Sequence, residues 1–149
     1  MYQEEHLSSI GRQPANLIAL LAYLGPVILS WIPVLEYVSW LLPIIFYFME
    51  RESDFVRFHS MQSIVLHVVT LGITVVAAFL SVLLAASMFI VPVGGIVGFG
   101  LLGLIGIGLR VILLIFAIIA MVKAYRYEVY RIPLVGRLAQ ALMRTLDRN

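Results

Sequence analysis

Apolar residues run almost without interruption through most of this chain. Between Arg12 and Arg51 the only ionised side chains are Glu36 and Glu50, and between Arg57 and Lys123 the only one is Arg110. The stretch from Phe58 to Leu109 holds 52 residues without a formal charge. As one helix it would run ~78 Å, against a hydrocarbon core of ~30 Å. It must therefore turn and return, and Pro92-Val93-Gly94-Gly95 supplies the turn residues. The first half, Asn16 to Phe48, is also too long for one pass and is interrupted at Pro26 and Pro33. The pattern predicts an all-α membrane protein with four transmembrane helices in two hairpins, at about 15–31, 34–50, 57–86 and 98–122. The first hairpin is thinner than the bilayer or kinked at Pro26 and Pro43. A run of only 13 residues from Tyr37 to Met49 leaves a re-entrant second span as the alternative.

Within the spans, small and polar residues recur every three or four positions, the spacing of one helix face. Span three carries Ser60, Ser63, His67, Thr70, Thr74, Ala77 and Ser81. Span four carries Gly103, Gly106, Arg110, Ala117, Ala120 and Ala124, with Leu113 the one large member of the register, and span one carries Asn16, Ala19, Tyr23, Pro26 and Ser30. These are packing seams. Arg110, twelve residues past Gly98, falls near the bilayer centre, where a lone Arg is costly and must face the bundle interior or water. Equal depth bookkeeping brings Tyr23, His67 and Thr70 to the same level, with Pro43 nearby. The cluster reads either as a hydrated path for something polar or as packing that satisfies the Arg.

Past Lys123 the pattern changes to that of an amphipathic cytoplasmic tail, 124–149. Arg137, Arg144 and Arg148 share one face of a helix that Pro133 starts, while Leu134, Leu138, Leu142 and Leu146 line another. A basic helix beside a span is expected to lie in the interface and bind anionic lipid.

Composition agrees, with 62% hydrophobic and 12% charged residues. A net charge of +2 gives nucleic acid no electrostatic footprint. Nine of the ten basic residues fall on one side of the four-span arrangement, which makes both termini cytoplasmic. Glu4 and Glu5 make the N-terminus, residues 1–14, acidic where a secretory signal would be basic. With no cysteine, thiolate catalysis and disulfides are excluded. His59 and His67 are eight residues apart, too far to share a metal as an i, i+4 pair, so neither metal nor cofactor is expected. Glu50, Glu52 and Asp54 cluster in sequence but in a wet loop, and Ser63 with His59 or His67 is the sole nucleophile arrangement. The expectation is a protein that is not an enzyme, with the bilayer, other membrane subunits or further copies of itself as partners.

The densest motif is Phe55-Val56-Arg57-Phe58-His59-Ser60-Met61-Gln62-Ser63-Ile64, where Asp54 caps the entering helix and Arg57 meets lipid phosphate. Together with Arg131-Ile132-Pro133-Leu134 after the last span, it resembles the small four-span subunit of the chloroplast inner-envelope (Tic) protein-import translocon and its bacterial relatives. That resemblance implies a role in moving polypeptides across a membrane, with a translocating chain as a partner and Phe55, Arg57, Phe58, His59 and Gln62 as the entrance motif. The chain has no Ser- and Arg-rich transit peptide, which points to a prokaryotic cytoplasmic membrane.

Overall fold

In the computed structural model the described residues are 2–148, and the side chain of Glu36 lies outside the description. Five α-helices follow one another among them: α1 (Ala15–Leu29), α2 (Leu41–Met49), α3 (Asp54–Ser87), α4 (Pro92–Tyr125) and α5 (Val135–Leu146), with a 3-10 turn at Leu35–Tyr37. The only extended pairings among the described residues are two isolated bridges, Tyr2 with Glu128 and Leu7 with Pro14. The all-helical expectation holds.

Among the described residues, only α3 and α4, at 34 residues each, are long and apolar enough to cross a membrane. The stretch expected to form span two divides into the 3-10 turn and the nine-residue α2. Pro43 does not break α2, as the sequence suggested. It sits in the first turn, where its missing N–H costs no helical bond. The expected turn at Pro92 also shifts: the reversal occupies Met88–Val91, and Pro92 opens α4, its fixed φ preorganised for a first helical position.

The chain divides into two compact units. The first holds everything up to His67 and from Phe116 onward, and the second is Val68–Ile115. In the first unit, Ala15, Ile18 and Ala19 of α1 meet Phe55 and Val56 of α3, Ala124 of α4 and Tyr127 beyond it. Helices α1 and α2 pack together as a hairpin, and at Gly25 the space a Cβ would need is filled by Leu42. The hairpin tip leaves Trp31, Val34, Tyr37 and Trp40 exposed.

The second unit is a helical hairpin of opposite character. Gly95, pressed against Met88, is its one buried residue, and large apolar side chains such as Phe79, Val82, Leu104 and Ile107 stand exposed. Gly98 faces Leu84, whereas Gly100, Gly103, Gly106 and Gly108 have nothing within 4 Å of where a Cβ would sit.

Candidate functional site

The first turns of α3 concentrate polar side chains in the interior of the first unit. Ser53 starts the helix: its hydroxyl accepts from the Val56 N–H at 3.2 Å, an N-cap bond to the third helical residue. The cap is therefore Ser53, not Asp54. Asp54 is the first helical residue and lies 3.8 Å from Arg57. From Phe55 to Ser63 every residue except Arg57 is buried, so the helix enters protein before it reaches any apolar solvent.

Gln62 organises this interior. Its amide nitrogen donates to Tyr23 Oη at 2.9 Å and to the Tyr130 carbonyl at 3.1 Å, and its oxygen accepts from the Ile132 N–H at 3.2 Å. Tyr23 Oη in turn lies 3.1 Å from His59 Nδ1. Gly136 of α5 closes the arrangement, since a Cβ there would meet the Gln62 oxygen at 2.8 Å. One glutamine thus ties α1, α3 and the segment leading into α5, because buried amide groups must find partners. His59 itself is fully buried between Phe55, Phe58 and Tyr23.

A second tie follows from a proline. Pro26 inside α1 has no N–H for the Ala22 carbonyl four residues back, and the Ser63 hydroxyl of α3 donates to that carbonyl at 2.7 Å. The helix defect on one element is repaired by a side chain of another. Two further seam hydroxyls bond their own helix: Thr74 donates to the Thr70 carbonyl and Ser81 to that of Ala77.

Glu50 was expected in a wet loop; it is instead 2% exposed. Its carboxylate accepts from the Ser8 and Ser9 hydroxyls and from the backbone N–H groups of Ser9, Arg51, Glu52 and Ser53. Desolvation alone would raise its pKa, but these donors favour the charged form and hold it at about 2. Nearby, His6 Nε2 lies 2.7 Å from Ser53 Oγ. The N-terminal tail is thereby fastened to the α2–α3 loop, which brings Arg12, Arg51 and Arg57 into one unit with Lys123, Arg126 and the α5 arginines. The tenth basic residue, Arg110, is in the other unit, exposed, with Nη2 3.4 Å from Thr74 Oγ1.

Of the midplane residues named from the sequence, Tyr23 joins His59 and Gln62, His67 Nδ1 lies 2.8 Å from the Ser63 carbonyl of its own helix, and Arg110 meets Thr74 one turn beyond Thr70. At the outer face, Arg57 pairs with Asp147 at 2.5 Å and with Tyr47 Oη at 3.2 Å. Helix α5 begins at Val135, two residues after Pro133, and buries Val135, Gly136 and Ala139. Its Leu138, Leu142 and Leu146 remain exposed, as do Arg137 and Arg144 on another face, while Arg148 lies beyond the end of the helix. Ser8, Tyr47 and Asp147 were not singled out by sequence reasoning; each acts through a partner on another element, Glu50 for Ser8 and Arg57 for the other two. Among the described residues no group of three or more His, Asp or Glu side chains is arranged to hold a metal.

Comparison with known proteins fixes the lineage. An UPF0132 membrane protein of Methanocaldococcus jannaschii is 36% identical over 106 residues, covering 70% of this chain and 62% of that relative's length. A second from the same organism and one from Archaeoglobus fulgidus are each 31% identical over 97 residues, covering 65% of this chain and 71% and 77% of theirs. No solved structure matches. The likeness to the Tic translocon subunit is not upheld, because both motifs that suggested it lie inside a match to a different family. Phe55, Phe58, His59 and Gln62 are buried and bonded within the first unit, so they report how the head of a helix is built and carry no sign of a polypeptide path. The expectation of protein import falls with that likeness. Residues 14–139 match the family model of the MamF/MmsF proteins, and this membrane protein belongs to the magnetosome magnetite crystal formation protein family.

Proposed function

We propose that this chain is a non-catalytic subunit that organises a membrane assembly, with its second unit as the contact surface for other spans. The observation that carries this reading is the bare hairpin: exposed apolar side chains surround Gly100, Gly103 and Gly106, over which nothing packs. Small residues let backbones approach closely in lipid, where apolar burial between helices contributes little. Arg110 on the same helix adds a polar group whose cost in lipid falls when a neighbouring span supplies an acceptor.

The proposed topology is two hairpins entering from one side, α1–α2 shallow and α3–α4 fully crossing. The first unit lies on the cytoplasmic face, because it collects nine of the ten basic residues. The packing of α1 against α2 as a hairpin supports a reading in which Arg12 and Arg51 share one side. The family description concerns magnetite crystal formation and the relatives' names say only membrane protein. We assign membrane organisation as the biochemical role, with any influence on a mineral exerted through the assembly. Catalysis has little support: Ser63, the one candidate nucleophile, spends its hydroxyl on the Ala22 carbonyl.

The test is purification from native membranes in mild detergent, comparing the natural chain with Gly103→Leu/Gly106→Leu. The natural chain is expected to come down at fixed stoichiometry with other copies or subunits, and the double variant to lose them at unchanged thermal stability. A natural chain that is monomeric throughout overturns the reading.

A further inference from the structure

The outer face of the first unit carries a pocket of about 360 Å³ lined by Tyr47, Phe48, Glu50, Arg51, Arg57, Leu146 and Asp147. It joins the end of α2, the α2–α3 loop, the first turn of α3 and the C-terminal end of α5. Its polar side is rich in donors. The Arg57 guanidinium, 5.1 Å from the Tyr47 ring centroid, bonds the Tyr47 hydroxyl, and Arg51 lines the same space. Of the two acids present, Glu50 is already engaged by Ser8, Ser9 and the loop N–H groups. Asp54 stands 3.8 Å from Arg57 with its side chain 91% exposed, so Asp147, at 2.5 Å, is the closer competitor for Arg57. That acid is badly placed for its own helix: it is the C-cap of α5, where the macrodipole disfavours negative charge. Its side chain is 46% exposed, so the ion pair is weak enough to be exchanged. The rim is apolar, with Phe48 and Leu146 both exposed.

We propose that this pocket binds the phosphate of an anionic phosphate ester, with Arg57 and Arg51 as its cationic clamp and Asp147 as a built-in competitor whose displacement frees the end of α5. A forked guanidinium matches phosphate oxygens two at a time, and a phosphate monoester carries more charge than the carboxylate it replaces. The apolar rim favours an ester that brings hydrocarbon with it, a membrane lipid. The inference stands apart from the assembly role, since it uses no residue of the second unit.

The test uses the full chain in neutral detergent micelles, with a fluorophore on Ala141→Cys of α5, the chain having no cysteine of its own. Dihexanoyl phosphatidic acid, inorganic phosphate and dihexanoyl phosphatidylcholine are titrated separately. Phosphatidic acid is expected to saturate the signal and raise the mobility of the label. Asp147→Asn should tighten that binding about fivefold and Arg57→Lys weaken it by at least as much. Inorganic phosphate binding as tightly as the lipid keeps the phosphate site and removes the lipid as its source. No saturable response to either phosphate, an equal response to phosphatidylcholine, or an unchanged affinity in Asp147→Asn overturns the proposal. Because Asp147 is exposed at a helix end, that variant keeps its fold even where Arg57 substitutions do not.

Discussion

Helix α3 runs through two different worlds. From Phe55 to Leu66 nearly every side chain is buried, and the polar ones, His59, Ser60, Gln62 and Ser63, are as fully enclosed as Phe55 and Val56. From Val68 to Ser87 none is buried, although this stretch is far more apolar. In water the arrangement would be inverted. A membrane protein tolerates it because lipid rewards exposed Val, Leu and Phe, while polar groups must find partners inside the protein. The first unit therefore derives its specificity from hydrogen bonds and the second from shape. The contrast predicts that polar deletions unfold the first unit, whereas size changes in the second act mainly on what it contacts.

Gln62→Leu should give the largest effect. The amide serves Tyr23, Tyr130 and Ile132 at once, and its removal strands a backbone carbonyl and a backbone N–H in a buried site. The expected loss is about 3 kcal/mol, measured by thermal or denaturant unfolding in lipid-like detergent. A loss below about 1 kcal/mol would show that water reaches these groups and that the interior is not closed.

Glu50 comes next. Glu50→Gln keeps the volume but faces several donors with an amide, at a cost of about 2 kcal/mol. The natural chain should also show a pH dependence. The folded-state pKa of about 2 lies below the ordinary 4.5, so the stabilisation is fully present above about 4.5 and is lost as pH falls toward 2. Melting curves at pH 7, 5 and 3 check it. The natural chain should lose stability between the last two, and the Gln variant should lose less.

These two residues also mark where sequence reasoning reached its limit. Alternation of charge and hydropathy was enough to show an all-helical membrane chain and the reversal near Pro92, because those depend on neighbours along the chain. The seam of α3 was legible for the same reason: Ser60, Ser63, His67, Thr70, Thr74, Ala77 and Ser81 all lie on its less exposed face. Glu50 was misread because its donors Ser8 and Ser9 lie about forty residues away, and an isolated acid beside Arg51 looks solvated. The motif around Gln62 was noticed but wrongly attributed, since a short run of buried residues records local packing that unrelated helix heads can share. Asp147 and Tyr47 gave no signal alone; their meaning comes from Arg57, which α5 and α2 approach from opposite ends of the sequence.

The smallest predicted effects are those that separate the two faces of the second unit. Gly95 lies against Met88, and a Cβ there would come within 3.2 Å of the Met88 backbone, which a side-chain rotation cannot relieve. Gly95→Ala should therefore cost about 1 kcal/mol, overpacking outweighing the gain in helix propensity. At Gly103 nothing stands within 4 Å, so Gly103→Ala meets no clash and should leave stability unchanged or raise it by up to about 1 kcal/mol. Paired unfolding measurements on the two variants read the sign directly. Opposite signs place the hairpin contact at the Gly95 end and leave the Gly103 face open for another span. If Gly103→Ala were as costly as Gly95→Ala, that face would already be covered in the folded chain, and the surface assigned to assembly would belong to the protein's own interior.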